Sequence, residues 1–394
     1  MNREMLKKLV DENYNWAVSK RRALHRIPEV GFAEFKTQKM ICETLDELGI
    51  PYTTESTWVV GLIEGAHPGK TIGLRTDIDA LPVQEPKGCP FRSEHDGWMH
   101  ACGHDVHTAI QLGAAKILSQ MKDKLCGNVK LFFQPAEETT GGALPMVNAG
   151  VLENPHVDAC YGLHLQPYLP VGTIETRHGC LNAACDEIEI IIHGRGGHAA
   201  YPDHSVDAIV CAAQVVTALQ TLVSRNVSPL SSAVLSFGSI SGGKASNVIC
   251  DNVRLFGTLR TVEPKLRSFC HKRIREIAQS VALAFGASAE VNVLDGYSVL
   301  MNHERETDIV FQLAEELFGK GHVKTKNEPS MGGEDFSYFI ENTPGAFYHI
   351  GCTPIDKMPA PALHSPHFVP DERCMHQGMA LQTAIVLREM GVEI

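Results

Sequence analysis

The chain has no long apolar run, no block of basic charge and no Cys-x-x-Cys pair. Each absence removes a class of function. A membrane-spanning helix needs about 20 consecutive apolar residues, and no stretch approaches that length, so no membrane partner is expected. Binding to nucleic acid needs a basic face to meet phosphate. With 35 Lys and Arg against 46 Asp and Glu the formal charge is −11, which argues against that partner. The opening residues, Met1-Asn-Arg-Glu-Met-Leu-Lys-Lys-Leu-Val10, are charged throughout and lack the apolar stretch of a secretory signal. The 12 cysteines are scattered, and without an export signal they are expected to be reduced thiols in the cytoplasm, packed as small apolar groups. What remains is a globular composition, 44% hydrophobic and 21% charged, over 394 residues. That length allows two domains, one inserted in the other.

Apolar residues recur at three- to four-residue steps from Leu6 to Arg21 and again over Thr37–Leu48, which predicts two helices. Short apolar runs at Thr71–Arg75, Val129–Phe133 and Ala159–Leu163 read as strands, separated by helical stretches such as Thr108–Met121. Alternation of this kind predicts an α/β domain with a mainly parallel sheet. The residues able to carry chemistry follow those strands: Asp77 and Asp79 the first, Glu137 and Glu138 the second, His164 the third. Ligands bind beyond the carboxyl ends of strands in open α/β sheets. From about residue 181 the order becomes strand Glu187–His193, helix Ser205–Ser224, strands Ala233–Phe237 and Val248–Thr261, helix Glu263–Phe285 and strand Ala289–Leu294. This βαββαβ order is a ferredoxin-like unit. Residues 181–295 are therefore expected to form an inserted lid, with residues 1–180 and 296–394 as the catalytic domain. The last part returns to helices at Asp308–Phe318 and Met375–Met390.

The densest cluster of metal-binding side chains is Met99-His-Ala-Cys-Gly-His-Asp-Val-His107. Cys102 and His104 flank Gly103, a spacing that lets a loop aim a thiolate and an imidazole at one point, as Zn²⁺ or another borderline metal prefers. Asp105 is placed to orient a neighbouring ligand. Phe133-Gln-Pro-Ala-Glu-Glu138 ends in two carboxylates, one free to ligate and one to face substrate. A hydrolytic metal centre needs such a spare carboxylate to carry the proton from water to the leaving amine. His164 and His364 each sit among apolar residues and complete a coordination sphere that the two clusters leave unfinished.

Together these runs resemble the metallopeptidase-like amidohydrolases: hippurate hydrolases, bacterial aminoacylases and plant auxin-conjugate hydrolases. The resemblance rests on nine segments in order: Arg22–Glu29, Arg75–Pro82, Met99–Asp105, Gln134–Glu138, Gly162–Leu165, Gly194–Ala200, Gly257–Arg260, Met331–Phe336 and His364–Phe368. It implies a site for two divalent metal ions per subunit, Zn²⁺, Mn²⁺ or Ni²⁺, held by Cys102, His104, Glu138, His164 and His364, with Cys102 as the bridge. It further implies Glu137 as general base and acid, Asp79 as the orienting aspartate of a ligand, and His198 as the group that polarises the scissile carbonyl. Asn247 and Arg260 look like the residues that hold the substrate's carboxylate, and Glu334 like an outer-sphere neighbour of the site. His25, His100, His107 and His367 are expected to stay off the metal. In several relatives the counterpart of His198 comes from a partner subunit, and a homodimer through the lid is the expected assembly. The wider peptidase branch carries His-x-Asp where this chain has Asp77-Ile-Asp79, and an acidic bridge where it has Cys102. These departures favour N-acyl-L-amino acids as substrates. The alternatives are a dipeptidase or aminobenzoyl-glutamate-type hydrolase on the same centre, a binding module without catalysis, or a cysteine hydrolase with Cys102 as nucleophile.

Overall fold

A computed structural model of the chain describes residues 2–392. The chain divides into two compact units, Met1–Leu181 with Met301–Asn327 and Asp335–Ile394, and Asn182–Leu300 with Glu328–Glu334. Two segments assigned to the catalytic domain from sequence, residues 296–300 and 328–334, therefore group with the second unit. Main-chain bonds explain this: Ala183 N–H donates to Ser330 O and Cys185 N–H to Tyr297 O, both at 2.9 Å.

The first unit is built on an eight-stranded sheet in the order Tyr52–Glu55, Trp58–Glu64, Cys126–Gln134, His67–Asp77, Ala159–Pro170, Gly345–Thr353, Ile174–Thr176, Val323–Thr325. The four central strands run parallel, and antiparallel strands flank them, so the sheet is mixed around a parallel centre. Residues Thr71–Asp77 and Gly345–Thr353 are buried without alternation, as expected for strands covered on both faces. Helices His104–Ser119 and Cys374–Glu389 pack on the sheet and on each other, with Arg3–His25 against both. The sequence reading missed the strands at 52–64 and 345–353. In Gly345–Thr353 the continuous burial removes the period-2 signal on which strand recognition depends.

The second unit has the expected βαββαβ order. Its antiparallel sheet runs Ala233–Gly242, Asn252–Thr261, Ala184–His193, Ser288–Leu294, covered by helices Ala208–Thr221 and Pro264–Ala284. Ile188, Ile190 and Ile192 alternate inward onto them. The stretch read as one strand from Val248 is two, Val248–Ile249 and Asn252–Thr261. Among the described residues one helical stretch, Ala208–Asn226, is long and apolar enough by length and composition to cross a membrane, with mean hydropathy 1.4. Gln214, Thr217 and Gln220 interrupt its apolar run in the sequence. Its Ala208, Ala212, Val215 and Leu219 stripe is buried in the core of the second unit.

The last helix is tied down by a buried charge. Glu389, 6% exposed, accepts from Tyr161 Oη at 2.7 Å, from Arg305 at 2.8 and 2.7 Å and from Lys70 at 2.9 Å. Burial alone would raise its carboxyl, but Arg305, Tyr161 and Lys70 outweigh it and pull the group from 4.5 to about 2. A folded-state value below the unfolded one stabilises the fold above the unfolded value. That stability, at most about 3 kcal/mol, is expected to disappear as pH falls from 4.5 towards 2. Melting temperatures followed through that window check this, and Glu389→Gln should flatten the dependence. An unchanged slope in the variant would place the acid sensitivity elsewhere.

Candidate metal centre

Gly103 takes a left-handed φ of 90°, and a side chain there would come within 3.0 Å of Leu165 Cδ1. Glycine is needed for both reasons. The turn sets Cys102 in the bend just before His104 opens the helix His104–Ser119. That helix starts four residues earlier than its apolar period suggests, because His104, Asp105 and His107 occupy its first turn. Cys102 Sγ lies 3.2 Å from His164 Nε2. His164 lies in mid-strand rather than at a strand end, since Ala159–Pro170 continues past Leu163. The neighbouring strand stops pairing at Arg75 opposite Gly162, two residues earlier. That strand itself runs on to Asp77, so the imidazole lies near its carboxyl end.

His164 Nδ1–H donates to Leu165 O at 2.6 Å, which leaves the Nε2 lone pair for Cys102's side. His104 Nδ1–H donates to Asp79 Oδ1 at 3.2 Å, and its buried Nε2 has no hydrogen-bond partner among the described residues, 3.8 Å from Glu138 Oε1. Glu138 Oε1 is in turn 3.1 Å from His364 Nε2. Two ligands about 2.0–2.3 Å from one tetrahedral ion stand roughly 3.5 Å apart, and these separations bracket that value. The potential ligand atoms of Cys102, His104 and His164 lie within 4.8 Å of one another, as do those of Cys102, Glu138 and His364, and those of His104, Glu137 and Glu138. Cys102 is common to the first two groups.

The local electrostatics call for a cation. Burial disfavours a charged His104, yet Asp77, Asp79 and Glu138 outweigh it and push its pKa up to about 10. Burial and then the Glu138 and Glu137 charges hold the Cys102 thiol well above its ordinary value. Burial keeps His164 neutral, with His107 adding to the effect. A neutral imidazole, an orphaned ring nitrogen and a thiol that ionises only beside positive charge suit a divalent metal.

The strand Cys126–Gln134 ends before Glu137, and Ala136 adopts a positive φ of 59°. This breaks the strand alternation, so both carboxylates reach the neighbourhood of His104. Asp79 accepts from Glu138 N–H at 2.9 Å through Oδ2 and from His104 Nδ1–H through Oδ1. Asp105 does not orient a ligand. Its carboxylate takes Arg21 Nε at 2.7 Å and His25 Nδ1 at 2.8 Å, because successive residues on a helix point about 100° apart. His107 is fully engaged off the centre, donating to Asp77 at 2.7 Å and accepting from Leu165 N–H at 2.9 Å.

His198, Asn247, Arg260 and Glu334 belong to the second unit. His198 is exposed, and its Nδ1 accepts from Ala200 N–H at 3.1 Å, so the neutral ring carries its proton on Nε2. Asn247 O accepts from Ala199 N–H at 3.1 Å, beside His198. Arg260 is elsewhere: Nε donates to Thr258 Oγ1 at 3.1 Å and Nη1 to Cys185 Sγ. The His198 end of the unit meets the strand Asn252–Thr261 at its start, and Arg260 lies roughly 25 Å along it, at about 3.3 Å per residue. The structure does not bring Asn247 and Arg260 together within one chain.

Sequence reasoning missed the groups beneath the centre. Arg75, fully buried, reaches Asp77 at 3.1 Å, Asp335 at 2.8 Å and Gln134 at 2.7 Å. Asp335 also accepts from Gln134 Nε2 and Ala143 N–H. Charged residues inside an otherwise apolar strand, Arg75 and Asp77, were the available signal, since buried charge persists only where it is paired.

Peptidase family M20/M25/M40 matches residues 73–388. The N-acetyl-L-cysteine deacetylase of Bacillus subtilis is 42% identical, covering 84% of this chain and 79% of the relative. Thermostable carboxypeptidase 2 of Saccharolobus solfataricus is 36% identical over 98% of both chains. The crystal structure of a dinuclear metal-binding peptidase of the M20 family from Bacillus subtilis superposes with a TM-score of 0.85 at 33% identity, covering 97% of this chain and 99% of that one. The match reaches all three segments of the first unit and covers the whole of the second: the chain belongs to peptidase family M20/M25/M40 and is a hydrolase of amide bonds.

Proposed function

We propose that this enzyme splits N-acyl-L-amino acids into a carboxylic acid and a free amino acid, at a centre that takes two divalent ions. The observation that carries the reading is the shared position of Cys102, whose sulfur belongs both to a group with His104 and His164 and to a group with Glu138 and His364. A single anionic ligand between two sets of neutral and acidic donors is what a two-ion site requires. When bound, such ions polarise the amide carbonyl and acidify the attacking water.

The chain's own residues supply the other steps. Glu137 takes the proton from water and returns it to the leaving amine, while Glu138, gripped at its N–H by Asp79, ligates. His198 offers its Nε2–H to the carbonyl oxygen as negative charge develops there. Arg260 pairs the substrate carboxylate with its planar fork, and Asn247 contributes beside His198. In one lid His198 pairs with Val248, just before the strand Asn252–Thr261, and Arg260 lies near that strand's far end, so two copies of the chain supply the two contacts to one substrate. The exposed Ile240 and Val234 on the unpaired edge strand Ala233–Gly242, with Ile209 and Val210 on the adjoining helix, offer the apolar surface for that dimer. Monomeric sedimentation at micromolar protein would remove the dimer from the proposal. Cys102 favours Zn²⁺, with Mn²⁺ or Ni²⁺ as substitutes.

The deacetylase relative supports N-acyl amino acids. The carboxypeptidase relative supports a second reading in which short peptides are cleaved. Assay of hippurate, N-acetyl amino acids and dipeptides, before and after chelation and reconstitution with Zn²⁺, Mn²⁺ or Ni²⁺, separates them. N-acyl amino acids are expected to react fastest, with activity lost to the chelator and restored by metal. Chelator-insensitive hydrolysis would sink the reading in favour of a cysteine nucleophile, and a dipeptide preference would install the second one.

A further inference from the structure

The two carboxylates of the Glu137–Glu138 turn come from a backbone conformation that alanine does not adopt unaided. Ala136, immediately before them, has φ 59°, which costs a non-glycine residue of order 1 kcal/mol or more. Such a conformation persists only where neighbours hold it. Asp79 holds one end through Glu138 N–H at 2.9 Å. The other end is held by Glu34, which lies 102 residues away in sequence and is fully buried. Its Oε1 accepts from Ala136 N–H at 2.9 Å, and its Oε2 accepts from Thr57 Oγ1 at 2.7 Å. Gly31 closes the pocket from the same segment: a Cβ there would meet Ala136 Cα and Cβ at 2.8 Å and Thr139 Oγ1 at 2.4 Å. Glu34 itself occupies the N-cap position of helix Phe35–Leu48 but makes no capping bond there. The cap duty falls to Glu29, which accepts from Lys36 and Thr37 N–H.

We propose that Glu34 is a positioning residue for catalysis, a buried acceptor that clamps Ala136 in its left-handed turn and so aims Glu137 at the reacting centre. The proposal rests on the reading of Glu137 as the proton carrier. A buried carboxylate that makes no capping bond, has no ion-pair partner among the described residues and holds the Ala136 N–H is costly unless that N–H matters. Burial pushes its carboxyl up to about 7, with the Thr57 and Ala136 bonds opposing the rise. The clamp needs a hydrogen-bond acceptor of this length, and glutamine supplies one: its carbonyl oxygen can face Ala136 and its amide can face the Thr57 hydroxyl.

The test compares Glu34→Ala, Glu34→Gln and Thr57→Val with the parent enzyme, by steady-state kinetics on N-acetyl amino acids and by crystal structures. Glu34→Ala is expected to lower kcat 10- to 100-fold with KM within threefold, since a misplacement of about 1 Å costs on that scale. Its structure should show Ala136 out of the positive-φ region and the Glu137 carboxylate displaced by about 1 Å. Glu34→Gln should recover kcat to within about threefold, and Thr57→Val should fall between the two. If Glu34→Ala does not fold, Thr57→Val decides: parental kcat in that variant overturns the clamp. An Ala136 φ that stays near 60° in Glu34→Ala also overturns it, as does equal loss in the alanine and glutamine variants. If the parent turns over nothing in the panel, the functional reading fails, yet the Ala136 backbone in the variant structures still decides whether Glu34 is the clamp.

Discussion

Glu137→Ala is expected to lower turnover of N-acyl amino acids by three to four orders of magnitude while leaving the fold and the metal content intact. General acid–base catalysis by one positioned side chain contributes about 10²–10⁴-fold, and here the same carboxylate serves twice, as acceptor from water and as donor to the amine. Stability should not suffer. The Glu137 charge lies close enough to raise the Cys102 thiol further, after burial and Glu138, and it shares a group of potential ligands with Glu138 and His104. Removing one negative charge from a site that also holds Asp77, Asp79 and Glu138 relieves repulsion in the metal-free protein. Glu137→Gln should be as inactive as the alanine variant, because an amide keeps the size and loses the proton transfer. Metal analysis, melting temperature and kcat measured on one preparation check the prediction. Near-normal turnover in a metal-replete, folded Glu137→Ala protein would refute the proton-carrier role.

How much of this centre is legible in the sequence depends on the distance over which each contact is made. Cys102 and His104 are readable because their spacing is local and their chemistry is unusual. Glu137 and Glu138 are readable as a pair, but their shared direction is not, since it follows from the positive φ of Ala136. The role given to Asp105 fails for a related reason. Adjacency to His104 in sequence suggests contact, whereas a helical start turns Asp105 towards Arg21 and His25. The carboxylate that His104 Nδ1 does meet is Asp79, on the loop after a strand, and only the resemblance to known hydrolases points there.

The fold shows the same division. Alternation along Ala184–His193 and the order of elements after it make the ferredoxin-like unit visible residue by residue. The mixed character of the large sheet is hidden, because its antiparallel pairs come from the hairpin Tyr52–Glu64 at one margin and from the three-residue strand Ile174–Thr176 near the other, whose directions are set by turns. Glu34 is the extreme case. No local pattern connects it to Ala136, and in sequence it is one more acidic residue before a helix.

Cys102 carries the second large effect. Cys102→Ser is expected to weaken divalent-metal binding by orders of magnitude and to reduce turnover at least about 100-fold. The serine hydroxyl is nearly the same size, so the buried site, 5% exposed at Cys102, should still fold. What disappears is the anion: a thiol ionises readily beside a metal cation, whereas an alcohol is a far weaker acid and a harder, poorer ligand. Cys102→Asp is the informative partner. Aspartate restores a negative ligand able to reach two ions, and it is the acidic bridge that the wider peptidase branch is expected to use. It should recover metal binding and part of the turnover, with the optimum metal moving from Zn²⁺ towards Mn²⁺ as a hard oxygen ligand replaces a soft sulfur. Isothermal titration with Zn²⁺ and with Mn²⁺, alongside kcat, gives both halves of the comparison. If Cys102→Ser binds metal as tightly as the parent, the thiolate is not a ligand. If serine and aspartate lose metal equally, the residue ligates through softness rather than charge. Recovery by aspartate alone is the result expected of a bridge, because only an anion can balance two cations at once.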